Sequence, residues 1–219
     1  MVTQQRIVVI NPNSNQSVTD GMAEGLKPFS ISGGPEIKCI TLIEGPFGIE
    51  SQDDVDAVIF PLRDCILRIE QADAYVIACY SDPGLDICRT ATKKPVFGIQ
   101  ESGVLTALSK GNKFGVIAIT DSSIKRHLRY LRQMGVMKRL AKERSAGLTV
   151  EESVTGKGTF DRLCEVGAQL RDLDGADSVI LGCAGMASHR NELEKFLGIP
   201  VVEPVQAATS MAIGAVLLS

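Results

Sequence analysis

Short apolar runs recur along the chain and are separated by segments of mixed polarity. Several of the runs are rich in valine and isoleucine and do not alternate with polar residues, which is typical of strands buried on both faces of a sheet. On this basis we predict strands at residues 6–10, 37–42, 75–79, 96–98, 114–119, 148–150, 178–182 and 201–202.

Patterns of helical period lie between these runs. Apolar residues at i, i+3 and i+4 predict a helix over residues 55–69, in which Pro61 should cause a kink or a break. Similar patterns predict further helices, which are expected around residues 124–131, 160–170 and 193–197. The first of these should end near Gly135 and the last at Gly198. Strands that alternate with helices predict an α/β fold with parallel sheets.

Some helices are expected to start just after a strand ends. Asp82 and Pro83 suit the N-cap and first position of a helix that follows the third predicted strand. Ser188 could cap a later helix in the same way, and Asp121 or Ser122 could cap the helix after residues 114–119. Ligands of parallel α/β proteins bind at such points because free backbone N–H groups are presented there.

Two stretches of the chain repeat the same order of features. An apolar run and a polar loop at 6–15 resemble those at 114–123, and each pair is followed by an apolar run that leads to a cysteine, Cys79 or Cys183. A proline opens the next apolar run 16 residues after the first cysteine and 17 residues after the second. The matched order indicates a duplicated unit.

A duplication of this kind predicts two similar parallel-sheet α/β halves related by a pseudo-twofold axis, with the active site between them. We place residues 1–99 and 206–219 in the first half and residues 100–205 in the second. The ends of corresponding strands, and with them both cysteines, would then line one cleft.

The composition narrows the class of protein. The 219 residues carry a net charge of −3, which argues against nucleic acid or an anionic membrane as a partner. The sequence contains neither a signal peptide nor an apolar run long enough for a membrane span, so we expect a cytoplasmic protein with free thiols. No CxxC pair, P-loop or GxGxxG motif occurs, and we therefore expect no metal and no cofactor.

Two of the six cysteines are candidates for chemistry. Cys79 and Cys183 lie at matched strand ends, where backbone amides and helix N-termini are expected to lower the thiol pKa from about 8.5 toward about 7. Two facing thiols could move a proton from one face of a carbon to the other. The remaining cysteines are interpreted as small buried apolar residues, namely Cys39, Cys65, Cys88 and Cys164.

The two histidines are interpreted as bystanders. His127 lies in a basic stretch that is typical of a solvated helix face, and His189 is expected to point to solvent at a helix start. The polar loop around Asn13 is a stronger candidate, because its amides suit a neutral ligand with carbonyl and N–H edges. Residues 44–50 are compatible with either a lid over the cleft or a structural turn.

Four stretches resemble the hydantoin racemase family, which belongs to the aspartate/glutamate racemase superfamily, and the resemblance runs nearly end to end. Among its members, those that act on allantoin in purine breakdown are the most similar. The stretches are INPNSN at 10–15, ACYSDPGL at 78–85, PVFGIQE at 95–101 and LGCAGM at 181–186.

The resemblance implies a cofactor-independent racemase that inverts C5 of allantoin or of another 5-substituted hydantoin. It implies that Cys79 and Cys183 are the acid/base pair and that the small-molecule substrate is held by loops after the strands. It also implies a homo-oligomer. The substrate-binding residues that it implies are Asn13, Tyr80, Ser81, Thr120, Asp121, Ser122, Ser123, Ala184 and Gly185.

Relatives with different chemistry match less closely. Aspartate and glutamate racemases carry Asn-Thr and Thr-His after their two cysteines, where this chain has Tyr80-Ser81 and Ala184-Gly185, so an amino-acid clamp is less well matched. Arylmalonate decarboxylases keep only the second cysteine, and Cys79 argues against them. The chain is also compatible with a maleate isomerase or with a non-catalytic small-molecule binding protein.

Overall fold

Buried segments rich in valine and isoleucine form two parallel sheets in the computed structural model, which describes residues 4–218 apart from the side chain of Thr155. The first sheet has the order β2-β1-β3-β4 and the second has the order β6-β5-β7-β8. The strands are β1 (Arg6–Asn11), β2 (Glu36–Thr41), β3 (Ala74–Ile77), β4 (Val96–Gly98), β5 (Phe114–Ala118), β6 (Leu140–Ser145), β7 (Ser178–Gly182) and β8 (Val201–Val202).

Helices connect the strands and cover both sheets. They are α1 (Gln16–Leu26), α2 (Gln52–Ala57), α3 (Ile59–Arg68), α4 (Leu85–Ala91), α5 (Ile99–Lys110), α6 (Asp121–Gln133), α7 (Val150–Thr155), α8 (Thr159–Asp172), α9 (Arg190–Leu197) and α10 (Pro204–Leu217). Short 3₁₀ segments lie at Lys27–Phe29, Met137–Arg139 and Ala184–His189. No helix within residues 4–218 combines the length and apolar character that crossing a lipid bilayer requires.

The two sheets repeat one strand order, which confirms the predicted α/β fold of two similar parallel halves. In the first sheet Ile7 of β1 lies between Ile37 and Ala74, and in the second Val116 of β5 has the same central position. Strands from both halves therefore end at corresponding points, as the duplication predicts.

One predicted strand is wrong and one strand was missed. Residues 148–150 lead into α7 instead of pairing in a sheet, whereas β6 forms the edge of the second sheet. The sequence of β6 contains Lys142, Glu143 and Arg144 in succession, so it lacks the apolar run on which the strand prediction depended. An edge strand tolerates such charges because one of its sides is unpaired.

The predicted helix breaks and stops are mostly confirmed. The pattern over residues 55–69 divides into α2 and α3 at Val58, and Pro61 lies in the first turn of α3, where no intrahelical acceptor exists for an N–H group. Helix α9 ends at Gly198, whose φ of 67° gives the left-handed cap. Helix α6 ends at Gln133, two residues before Gly135.

The predicted N-caps are wrong. Helix α9 is preceded by His189 instead of Ser188, and α6 is preceded by Thr120, which makes Asp121 the first helical residue and places Ser122 after it. Helix α4 begins only at Leu85 and has Gly84 as its N-cap. In each case the helix begins at a different residue from the one that the N-cap preference of Asp and Ser favours, so this preference did not locate the cap.

Asp82 caps a different helix from the one predicted. Its two carboxylate oxygens accept hydrogen bonds from the backbone N–H groups of Gln100 and Glu101, both at 2.9 Å, in the first turn of α5. Gly98 makes this approach possible, since a Cβ there would lie 2.3 Å from the carboxylate. Helix α10 has an equivalent carboxylate, because Glu203 accepts from the first N–H groups of that helix.

Helices α5 and α10 join the two halves. Helix α5 follows β4 of the first sheet but packs against β5, β7 and β8 of the second, whereas α10 follows β8 and packs against β1, β3 and β4. The two helices also pack against each other. Part of each sheet is thus covered by a helix that follows the last strand of the other sheet. The boundaries at residues 99, 205 and 206 stay a prediction.

Candidate active site

Cys79 and Cys183 line one cavity between the halves. Cys79 lies two residues after the end of β3, and Cys183 directly follows β7. The free space inside the cavity is narrow, about 30 Å³. Residues of the first half contribute one wall and residues of the second half the other. Two thiols from corresponding strands therefore face one space, as the duplicated pattern predicts.

Five of the residues that the resemblance implied for substrate binding also line the cavity: Asn13, Tyr80, Ser81, Ser123 and Ala184. The remaining four, Thr120, Asp121, Ser122 and Gly185, are not part of its lining. The hydroxyl groups of Thr120 and Ser122 bond to each other at 2.9 Å, and Asp121 is exposed in the first turn of α6. The start of α6 is therefore turned partly away from the cavity.

Asn13 offers mainly hydrogen-bond donors to a ligand. Its side-chain oxygen accepts from the Asn11 side chain at 2.9 Å and from the Asn15 backbone N–H at 3.0 Å. These bonds hold the polar loop after β1 in place and use the acceptor of Asn13 within the loop. The amide nitrogen of Asn13 is then the group suited to a carbonyl oxygen in the cavity.

The two thiols do not have the lowered pKa that was expected. Burial raises the pKa of Cys79 to about 12, although the backbone N–H of Ser81 and the charge of Arg126 act in the opposite direction. Burial also raises the pKa of Cys183, and the N–H of Gly185 opposes that shift. The predicted amides are present, but the loss of hydration outweighs them.

Cys183 contacts a serine that no sequence motif singled out. Ser153 in α7 places its Oγ 3.7 Å from the Cys183 Sγ and donates its own proton to the Val150 carbonyl at 2.6 Å. Either group can be the donor in the contact between Ser153 and Cys183, and a hydrogen bond from Ser153 lowers the pKa of the Cys183 thiol. Gly185 lets α7 come this close, because a Cβ at that position would lie 2.3 Å from the Ser153 Oγ.

The interpretation of His127 as a solvated residue is wrong. Its side chain is 2% exposed, its Nδ1 lies 2.5 Å from Glu143 Oε1, and its Nε2 lies 3.4 Å from Ser81 Oγ. The basic residues of α6 do face outward in part, but His127 shares the buried stripe of the helix with Ser123 and Leu131. That spacing of four was the signal in the sequence.

Arg126 adds a half-buried positive charge to the cavity. Its Nε donates a hydrogen bond to Ser81 Oγ at 2.8 Å, and burial lowers the pKa of its guanidinium. The basic stretch around it is typical of a solvated face, but the Arg126 side chain is half-buried and lines the cavity. Its position beside Cys79 gives the cavity an electrostatic asymmetry, since the Arg126 charge lowers the pKa of the Cys79 thiol.

His189 lies outside the cavity lining, as its interpretation as a bystander requires, but it does not project into solvent. Its ring packs against Phe160 with 6.0 Å between the ring centroids, and burial lowers the pKa of its imidazole.

The segment 44–50 contributes a wall to the cavity through Ile49, which is buried, whereas Phe47 is exposed. The Glu50 carboxylate accepts the backbone N–H of Val150 at 2.9 Å and so ties the segment to α7 in the other half.

Within residues 4–218, His, Cys, Asp and Glu side chains form no group of three or more that could hold a metal ion.

Known proteins of similar sequence and structure agree on one family. The family model described as Asp/Glu/Hydantoin racemase matches residues 7–212. The hydantoin racemase of Paenarthrobacter aurescens is 34% identical over 212 residues, which cover 94% of this chain and 89% of that protein. The hydantoin racemase of Pseudomonas sp. strain NS671 is 35% identical over 211 residues, with 94% and 84% covered.

Solved structures give the same result. The allantoin racemase from Klebsiella pneumoniae superimposes with a TM-score of 0.93 at 28% identity, over 98% of this chain and 89% of that one. A match of this extent includes both sheets. Sequence and structure together show that the chain is a racemase that belongs to the Asp/Glu/hydantoin racemase family.

Proposed function

We propose that this racemase inverts C5 of allantoin or of another 5-substituted hydantoin without a cofactor, using Cys79 and Cys183 as its acid/base pair. The observation that carries the proposal is the position of the two thiols, which come from corresponding strand ends of opposite halves and line one cavity. A planar carbon bound between them would have one thiol on each face.

The reaction needs one thiolate and one thiol at the start. The thiolate removes the proton from C5, the electron pair of the C–H bond moves into the neighbouring ring carbonyl as an enolate, and the opposite thiol protonates C5 from the other face. The thiols have then exchanged protonation states. A negative charge on Cys183 raises the pKa of Cys79, which favours a single thiolate in the pair.

The enolate oxygen needs hydrogen-bond donors that are already in place. The backbone N–H groups that follow the two cysteines, those of Ser81 and Gly185, bond to the thiols and stabilise the thiolate form. The Asn13 amide nitrogen is a better candidate, because the oxygen of that side chain is fully used within its own loop. One such donor is worth about 3–4 kcal/mol in the transition state.

A second candidate function follows from Arg126. A half-buried guanidinium beside the first thiol could hold a substrate carboxylate, as an amino-acid racemase requires. The bond from its Nε to Ser81 argues for a role within the protein, and the similarity to hydantoin and allantoin racemases favours the ring substrate.

We also propose that the protein is a cytoplasmic homo-oligomer that acts in purine breakdown. Light scattering tests the oligomeric state, and cell fractionation tests the location.

A substrate panel decides between the two functions. Single enantiomers of allantoin, 5-benzylhydantoin and glutamate are incubated with the protein, and optical rotation is followed over time. We expect rotation to decay to zero for a hydantoin and to stay constant for glutamate. Decay with glutamate alone would assign the protein to the amino-acid racemases instead.

The acid/base pair is tested by the variants Cys79→Ser and Cys183→Ser. A serine hydroxyl has a far higher pKa than a thiol, so each variant should lose racemisation by at least about 10³-fold while its circular dichroism spectrum is unchanged. In deuterium oxide, a single variant should still exchange the C5 hydrogen of one enantiomer. Cys39→Ser, in β2 and away from the cavity, is the matched control and should keep full activity. Full racemisation by either cavity variant would contradict the two-thiol mechanism.

A further inference from the structure

A positively charged groove lies next to the cavity that the two thiols line. Its free space is about 570 Å³, and Arg126 contributes to the lining of both the groove and the cavity. Within residues 4–218 no carboxylate lines this basic groove, and its charge comes from four cationic side chains of α6. The lining residues are Ser51, Gln52, Ser122, Lys125, Arg126, Arg129 and Arg132.

The arginines of the basic groove lack ion-pair partners. Among the residues that the structure describes, no carboxylate forms an ion pair with Arg126, Arg129 or Arg132. The other arginines do have partners, since Arg139 donates to two backbone carbonyls and the rest pair with carboxylates. The paired residues are Arg6, Arg63, Arg68, Arg89, Arg144, Arg162, Arg171 and Arg190. Among the arginines, the lack of a partner is thus confined to one side of α6.

These unpaired charges repel one another. Residues three apart on a helix are neighbours, and like charges at such spacings are destabilising. Burial, and to a smaller extent the charge of Arg129, lowers the pKa of the Arg126 guanidinium. The Asp54 carboxylate acts in the opposite direction, but its Oδ2 already accepts the backbone N–H groups of Glu50 and Ser51. An anion bound in the groove would relieve the repulsion.

Arg126 can bind a carboxylate and keep its bond to Ser81. A guanidinium has five N–H groups, and the one on Nε donates to Ser81 Oγ at 2.8 Å. The terminal nitrogens of Arg126 have no hydrogen-bond partner in the part of the chain that the structure describes, and together they can donate two parallel bonds to a carboxylate. Arg129 is also held in place, because its Nη2 donates to Gln52 Oε1 at 2.8 Å.

The size of the cavity forces a substituent at C5 of the ring to extend outward. A free space of about 30 Å³ corresponds to roughly two or three water molecules, which a five-membered ring fills. Within residues 4–218, Arg126 is the one cavity-lining residue among the Lys, Arg, Asp and Glu side chains. A charged substituent that leaves the cavity therefore has its counter-ion on the side of the basic groove.

We propose that the basic groove binds an anionic substituent at C5, so that the preferred substrates are hydantoins with a carboxylate on a short alkyl chain. The inference rests on the proposed racemase function, which places the ring between Cys79 and Cys183. Arg126 and Arg129 bind the carboxylate and determine specificity, whereas proton transfer stays with the two thiols. Allantoin, whose ureido substituent is neutral, would use the same cavity without this ion pair.

Two substrates that differ by one charge test the preference. 5-(2-Carboxyethyl)hydantoin and its primary amide have nearly the same shape. We expect kcat/KM for racemisation to be about tenfold higher for the acid, mainly through a lower KM. NaCl at about 0.5 M should raise the KM of the acid and leave that of the amide unchanged, because salt screens exposed charges. Equal kcat/KM values for the acid and the amide would overturn the inference and leave the racemase function intact.

The variants Arg129→Gln and Arg132→Gln test the groove itself. Both residues are exposed, so the fold should be retained, and the loss of repulsion should leave Tm equal or higher. Each substitution should raise the KM of the acid by about twofold to fivefold and leave that of the amide unchanged, as expected for exposed ion pairs. Lys138→Gln, which is exposed and outside both the cavity and the groove, is the control. An undiminished preference for the acid in the double variant would contradict the role of the groove.

Arg126→Gln should affect the two substrates differently. We expect kcat to fall for both, because Cys79 loses a neighbouring positive charge, and KM to rise for the acid alone. A parallel rise in KM for the acid and the amide would mean that Arg126 does not bind the carboxylate.

Calorimetry separates this inference from the proposed function. Binding of the racemic acid and the racemic amide to the wild-type protein is measured at low salt, which requires no turnover. We expect the acid to bind about tenfold more tightly and Arg126→Gln to remove the difference. Equal affinities, or no binding of either compound, would overturn the inference. Tighter binding of the acid without racemisation of any hydantoin would refute the proposed function and still support an anion site in the basic groove.

Discussion

The protonation of Cys79 depends on a balance between burial and neighbouring charges. Burial raises its pKa to about 12, the charge of Arg126 lowers it, and a thiolate at Cys183 raises it again. A raised pKa means that little thiolate exists at neutral pH in the unliganded protein. We therefore expect kcat/KM to increase with pH through the alkaline range, up to the pH at which the protein unfolds. A pH–rate profile of hydantoin racemisation measures this, and a profile that is flat from pH 7 to 10 would contradict it.

Removal of the Arg126 charge should make Cys79 less reactive. In Arg126→Gln the pKa of Cys79 rises further, and the rate of alkylation by iodoacetamide at pH 8 should fall by roughly threefold to tenfold, since the rate follows the thiolate fraction. Mass spectrometry of the peptides separates Cys79 from the other cysteines. Arg129→Gln, on the exposed face of the same helix, is the matched control. Equal rates in the two variants would show that Arg126 does not stabilise the thiolate.

At the level of elements, a feature could be predicted when the residues that determine it lie close together in the sequence. The apolar run before Cys183 and the helical period of α8 are local, and both elements lie where they were predicted. The capping of α5 by Asp82 joins residues 18 apart in the chain, and the contact between Ser153 and Cys183 joins residues 30 apart. No short window of sequence contains such pairs. The strands and helices of the fold could therefore be predicted from local patterns, whereas many of the contacts that support the site could not.

The packing of α7 against the loop after β7 sets the position of Cys183. In Gly185→Ala the new Cβ would lie 2.3 Å from Ser153 Oγ, so either the Ser153 side chain must leave its rotamer or one of the two elements must move. We expect kcat to fall about 10- to 100-fold, because small displacements of a reacting group are costly.

Gly214→Ala is the matched control for this substitution. A Cβ at Gly214 meets nothing within 4 Å, and alanine suits the interior of α10, so activity should be unchanged and stability should rise by about 0.5–1 kcal/mol. Steady-state kinetics and urea unfolding of both variants provide the comparison. A Gly185→Ala variant with normal kcat would mean that the position of Ser153 is unimportant for Cys183.

At the scale of the whole molecule, the two halves are held together by helices that have exchanged sheets. Helices α5 and α10 each leave one sheet, pack on the other and contact each other, and each begins at a buried carboxylate. The cavity lies between the halves that these helices connect, so the relative position of the two thiols depends on this packing. The repeat in the sequence predicted the two sheets, and the placement of residues 100–205 in one half and residues 206–219 in the other already implies this exchange.

The carboxylates at these helix starts make the stability of the molecule depend on pH. Burial raises the pKa of both Asp82 and Glu203 to about 7, although backbone N–H groups oppose the shift. The folded state thus retains protons that the unfolded chain has already lost above about pH 4. This contribution to stability is present at low pH and is lost as pH rises toward 7. Since one pKa unit corresponds to about 1.4 kcal/mol, the loss is on the order of a few kcal/mol.

Asp82→Asn should remove part of this dependence. Asparagine cannot ionise, so the urea midpoint of the variant should improve relative to wild type as pH is raised from about 5 to about 8, even though one N–H of α5 loses its acceptor at a cost of about 1 kcal/mol at every pH. Asp121→Asn removes the same charge from the exposed first turn of α6 and should leave the pH profile unchanged. If the difference between Asp82→Asn and wild type were constant over this pH range, or moved against the variant, Asp82 would not hold its proton in the fold. Asp82 would then be ionised over the whole of this pH range, because the N–H groups at the start of α5 would stabilise its charge more than burial destabilises it.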